Sequence, residues 1–183
     1  PARPGNVLTG SISANGGNGC NSSSSRNGGE VTIGASGSIQ TGNIDTSGGS
    51  TFPGYASGYG VSGNAGIVSI TSVSNSLADS ISLGGIAMRG GNGYTPGHGG
   101  TLSITALGLQ GTIGAGNIVA YGGNVIDGNS GNTAGSGGSV FIRAPKAILS
   151  LGGVSAKGGK GAASGKPGRT GGRSPTAAAS GTT

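Results

Sequence analysis

Apolar residues recur along this chain in pairs two positions apart, each pair following a glycine. Gly29–Gly49 reads GEVTIGASGSIQTGNIDTSGG, Gly66–Gly91 GIVSITSVSNSLADSISLGGIAMRGG, Gly100–Gly123 GTLSITALGLQGTIGAGNIVAYGG and Gly138–Gly159 GSVFIRAPKAILSLGGVSAKGG. The opening pairs are Val31 and Ile33, Val68 and Ile70, Leu102 and Ile104, and Val140 and Ile142. Successive side chains of a strand point to opposite faces, so i, i+2 spacing turns both members of a pair to one side. These eight residues are the candidate core ladder. Each segment then has a middle apolar position: Ile39, Ile81, Ile113, and Leu149 or its neighbour Ile148. A third element follows at Ile44, Ile86-Ala87, Ile118-Val119-Ala120 and Val154-Ser155-Ala156, and each segment closes on Gly-Gly. A partial copy at Val7–Gly17, VLTGSISANGG, carries Ile12 and Ala14 in the third element.

Val31, Val68, Leu102 and Val140 lie 37, 34 and 38 residues apart, an irregular period absorbed mostly by Gly-rich connectors. Three short strands separated by Gly or Asn turns make one roughly triangular coil, because those residues accept the backbone conformations of tight corners. One coil cannot bury its few aliphatic residues alone. Coils stacked about 4.8 Å apart can, with backbone hydrogen bonds along the stack. The predicted fold is all-β: a parallel β-helix, or β-solenoid, of about five coils, with long Gly-rich loops projecting from one corner. Residues 1–160 form the solenoid, with repeats at about 7–17, 29–49, 66–91, 100–123 and 138–159. Residues 161–183 form a basic, then Ser/Thr/Ala-rich, C-terminal extension. A helical reading fails, since Gly costs about 1 kcal/mol relative to Ala in a helix and interrupts every window.

Composition agrees. Glycine supplies 46 of 183 residues, aromatic residues 3% and charged residues 8%. A disordered chain is charged and poor in aliphatic bursts, and collagen needs Gly at every third position; neither description fits. No apolar run is long enough for a transmembrane helix. The chain begins with Pro1 rather than Met, which reads as a processed form or a piece of something longer. Cys20 stands alone, so no intrachain disulfide forms; it reads as a small loop residue, with an intermolecular disulfide as the option to test.

The text of Gly28–Ser50, GGEVTIGASGSIQTGNIDTSGGS, and of Gly63–Ser72, GNAGIVSITS, resembles the repeats of filamentous-haemagglutinin-like exoproteins. These are the large secreted partners of bacterial two-partner secretion, and cyanobacterial members are especially similar. The resemblance covers most of Val7–Gly159. It implies a right-handed parallel β-helix, secretion, an extracellular or cell-surface location, and a role in adhesion, coats or fibres. It carries over no catalytic residues.

Charge is uneven. Residues 1–127 hold three basic and four acidic residues; residues 128–183 hold seven basic and none acidic. Solvated connectors account for part of this. A basic end is also suited to acidic polysaccharide, an anionic cell envelope or the next subunit. Nucleic acid is not expected, because no aromatic residue follows Phe141 to interleave with the cations.

The residues for catalysis are missing. Glycan-cleaving β-helix enzymes need clustered carboxylates, and Glu30, Asp45, Asp79 and Asp127 are scattered. Asp45 and Asp127 sit in turn-like contexts. His98 is the single histidine and reads as a loop residue. The chain is therefore expected not to be an enzyme and to need no cofactor or metal. Two functions fit. The first is a structural subunit that self-assembles as a homo-oligomer or homopolymer into a fibre, filament or coat; no polar cap is visible at either end of the coil region. The alternative is an adhesin stalk or module. Its contacts with glycans or surfaces are Tyr55, Tyr59 and Tyr94 in the loops and Lys157, Lys160, Lys166, Arg169 and Arg173 at the basic end. A weaker third reading places Thr32, Thr71 and Thr105 on one flat ice-binding face.

Overall fold

A computed structural model describes residues 5–20, 23–52, 60–74, 79–106, 110–126, 132–144, 146–161 and 176–177. Among these, the strands in chain order are β1 (Val7–Thr9), β2 (Ile12–Ser13), β3 (Glu30–Ala35), β4 (Ile39–Thr41), β5 (Ile44–Asp45), β6 (Ile67–Ser72), β7 (Ile81–Leu83) and β8 (Ile86–Ala87). They continue as β9 (Thr101–Ala106), β10 (Thr112–Ala115), β11 (Ile118–Val119), β12 (Ser139–Arg143), β13 (Ile148–Leu151), β14 (Val154–Ser155) and β15 (Thr176–Ala177). Every third strand joins the same sheet. The three sheets run β1-β4-β7-β10-β13, β2-β5-β8-β11-β14 and β3-β6-β9-β12-β15, with all pairings parallel. The fold is an all-β parallel β-solenoid of about four turns, presenting five strands on each face.

The core ladder stands in register. Val31 pairs with Val68, Val68 with Leu102, and Leu102 with Val140; Ile33, Ile70, Ile104 and Ile142 form the adjacent column. All eight are buried. The middle column runs Val7, Ile39, Ile81, Ile113, Leu149 and the third Ile12, Ile44, Ile86, Ile118, Val154. Leu149 therefore takes the inward place, and Ile148, opposite Thr112, is 69% exposed. Inward residues two apart on three sheets meet at one axis, which is the core that the pattern predicted.

The Thr face is a correction. Thr32 aligns with Ser69, Ser103 and Phe141, whereas Thr71 and Thr105 stand between Gly34 and Arg143 in another column. A regular Thr array does not form, because the period-two register puts Thr32 and Thr71 two residues out of step.

Three of the four scattered acids are hydrogen-bonded within the fold. Asp45 accepts from the amide of Ser47 at 3.0 Å and from its hydroxyl at 2.6 Å, the local turn that its context predicted. Asp79 is buried and accepts from the hydroxyls of Ser38, at 3.1 Å, and Ser74. Glu30 accepts from Thr32 at 3.0 Å on the outer face. Asp127 lies outside the described residues.

Candidate functional site

The connectors were expected to project from one corner, stacked above one another. Their described limbs are stacked and continue the backbone ladder of the coils. Each outgoing limb hydrogen-bonds to the next coil's: Gly16 N to Ser47 O, Gly48 N to Arg89 O, Gly90 N to Tyr121 O and Gly122 N to Lys157 O, all 2.8–2.9 Å. Three residues farther out the pattern repeats, with Gly19 N to Ser50 O, Thr51 N to Asn92 O, Gly93 N to Asn124 O and Val125 N to Lys160 O.

The outgoing and returning limbs are then sewn together mainly by backbone, with the Ser25 hydroxyl joining Gly49 O and Gly63 N at the first rung. Gly49 N donates to Arg26 O, Gly63 N to Gly49 O, Gly91 N to Gly63 O, Gly97 N to Gly91 O, Gly123 N to Gly97 O, Gly135 N to Gly123 O and Gly159 N to Gly135 O. This seam explains why the glycines come in pairs. A Cβ on Gly90, the first of its pair, would lie 2.1 Å from the carbonyl oxygen of Gly97 on the returning limb. A Cβ on Gly91, the second, would lie 1.8 Å from the carbonyl oxygen of Gly49 on the coil below. Both directions are closed to any side chain.

With glycine as its floor, the seam leaves an open groove of about 630 Å³ parallel to the stack axis. One wall is the residue before each pair: Ser47, Arg89, Tyr121, Lys157. The other is the residue after it: Ser50, Asn92, Asn124, Lys160. The second wall holds itself upright. Ser50 N donates to Asn18 Oδ1, Asn92 N to Ser50 Oγ, Asn124 N to Asn92 Oδ1 and Lys160 N to Asn124 Oδ1, between 2.7 and 3.0 Å. A side chain that caps the amide one coil above is fixed in direction, which gives the wall a defined face.

Charge runs along this groove. Asp45 borders its N-terminal part, while Arg89, Lys157 and Lys160, all exposed, line the rest. Tyr121 is half-buried between the rungs of Arg89 and Lys157. Three cations against one carboxylate give the groove a net positive charge.

Of the sequence-predicted contacts, Lys157 and Lys160 come together here. Tyr94 is half-buried and does not line the groove. Tyr55, Tyr59, Lys166, Arg169 and Arg173 lie outside the described residues. Arg89 and Tyr121 escaped the sequence reading, although a signal existed: aligning the chain on its Gly-Gly pairs places both in the position just before the pair. Cys20 is free and exposed. No group of three or more metal-ligating side chains occurs among the described residues, and no helix there is long and apolar enough to cross a membrane.

Compared with protein-family models, curated proteins and solved structures, the chain matches none.

Proposed function

We propose that the chain is a non-enzymatic structural protein of the bacterial surface or extracellular space, a β-solenoid subunit that stacks end to end into a fibre, filament or coat. The shape of the two end rungs carries this reading. Strands β1 and β13 stand at the ends of one sheet and β2 and β14 at the ends of another, so each has one edge unpaired among the described residues. The inward residues there, Val7, Ile12, Leu149 and Val154, are only half-buried, whereas Ile39, Ile44, Ile81 and Ile113 between them are at most 1% exposed. Open parallel edges over half-buried aliphatic side chains are what another strand recognises. The occupant proposed is a second copy, since the first rung of one copy presents the same columns as the rungs above the last rung of another would. The extracellular placement rests on the resemblance of Gly28–Ser50 to filamentous-haemagglutinin-like repeats.

Negative-stain electron microscopy over a range of protein concentrations tests this. Thin fibres of uniform width, lost in a variant carrying Ile12→Lys and Leu149→Lys with unchanged circular dichroism, are the expected result. Separate short rods at every concentration would overturn self-assembly.

A further inference from the structure

We propose that the glycine-floored groove binds a linear acidic polysaccharide lying along the stack, independently of whether the rods assemble. The groove crosses successive rungs, which repeat about every 4.8 Å, comparable with the rise per sugar of an extended pyranose chain. Successive rungs can therefore meet successive sugars without a change of register.

The side chains supply the matching chemistry. Arg89 and Lys157 occupy one wall two rungs apart, about 10 Å, with Tyr121 between them. A tyrosine ring offers the C–H face of a pyranose a rigid amphipathic platform. The flanking cations meet carboxylates or sulfates, Arg89 in a planar two-pronged way. On the facing wall Asn92 and Asn124 use their Oδ1 atoms to cap amides of the next coil. Their amide nitrogens are then the parts that can donate to sugar hydroxyls. Asp45 bounds the site at the other end, so a polyanion is held from Arg89 to Lys160 and repelled beyond.

Other polyanions fit less well. A single-stranded nucleic acid needs a series of stacking platforms, and among the described residues Tyr121 is the one aromatic ring lining this groove. An acidic peptide would add as a strand, but the floor's amides at Gly91, Gly123 and Gly159 already serve the seam.

Affinity electrophoresis of the full chain through gels containing polygalacturonate or neutral dextran tests the proposal. Retardation by polygalacturonate alone is expected. Arg89→Gln and Lys157→Gln should each weaken it about tenfold at low salt, the loss of one charge-assisted contact. Arg143→Gln removes the same charge from the outer face of β12 and should change it by less than about twofold. Tyr121→Leu should weaken binding and Tyr121→Phe preserve it, with circular dichroism confirming both folds. Equal losses in Arg143→Gln and Arg89→Gln would reduce the effect to diffuse charge and overturn the site. So would an absence of retardation, or single-stranded DNA displacing polygalacturonate at equal charge concentration.

Discussion

Ser136 donates its backbone amide to Nδ1 of His98, one coil earlier, at 3.0 Å. The imidazole thus takes the place that Asn64 fills below it, where Asn64 Oδ1 accepts the amide of His98 at 2.8 Å. Asn27 begins the column by capping Asn64, also at 2.8 Å. A loop histidine is here an asparagine analogue in a capping ladder.

His98→Asn should therefore keep the stability of the natural chain, while His98→Ala should lower it by about 0.5–1.5 kcal/mol, the usual net value of one hydrogen bond. Denaturant unfolding followed by circular dichroism reads both. Because Nδ1 accepts, the ring proton belongs on Nε2, and two-bond nitrogen–proton NMR spectra should show that tautomer in the folded chain.

Glycines of the seam and glycines of the strands should answer differently to the same change. Gly91→Ala drives a methyl group into the carbonyl of Gly49. It should cost at least about 3 kcal/mol or prevent folding, as overpacking against rigid neighbours does. Gly34 in β3 is exposed and has nothing within 4 Å of an added Cβ. Gly34→Ala should be neutral or stabilise by up to about 1 kcal/mol, because it removes unfolded-chain freedom. Thermal melts of the two variants beside the natural chain decide it; equal effects would mean that the seam is not close-packed.

The core columns were readable from the sequence because period-two spacing is insensitive to loop length. Val31, Val68, Leu102 and Val140 fall in one column although the intervals between them differ. The first rung was readable in part, with Ile12 in the third column; the place of Val7 in the middle column comes from its pairing with Ile39. What the pattern could not give was lateral registration where two candidates sit side by side, as with Leu149 and Ile148, or on the outer face, where Thr32 falls out of step with Thr71. The groove was hidden for another reason. Its floor is held by amide-to-carbonyl contacts between glycines, and backbone contacts leave no hydrophobic periodicity to detect.

Ile104 is 1% exposed in the column of Ile33, Ile70 and Ile142. Ile104→Ala should destabilise by about 2–5 kcal/mol, through lost burial and the cavity left behind. Ile104→Asp should leave an unpaired buried charge and abolish the cooperative transition. An Ile104→Asp chain with an unchanged melting curve would mean that this face points outward.

Thr46 offers the opposite case. It is fully buried, and its hydroxyl has no hydrogen-bond partner among the described residues. The same column holds Ala14, Met88 and Ala120, all apolar, as the amide bonds along the stack show. Thr46→Val keeps the shape and removes an unsatisfied polar atom, whose burial costs about 1–3 kcal/mol. The variant should unfold at the same or a higher denaturant concentration with an unchanged m-value.

The backbone seam also bears on heredity. The contacts that join one coil to the next at its connector are backbone bonds between glycines together with a repeated Asn, Ser or His cap, and they recur rung after rung. A duplicated stretch of gene that begins and ends at a Gly-Gly pair therefore delivers a coil whose two faces already match its new neighbours. Length in such a rod is a quantity that recombination can change in whole steps, while the segments between the limbs are free to diverge.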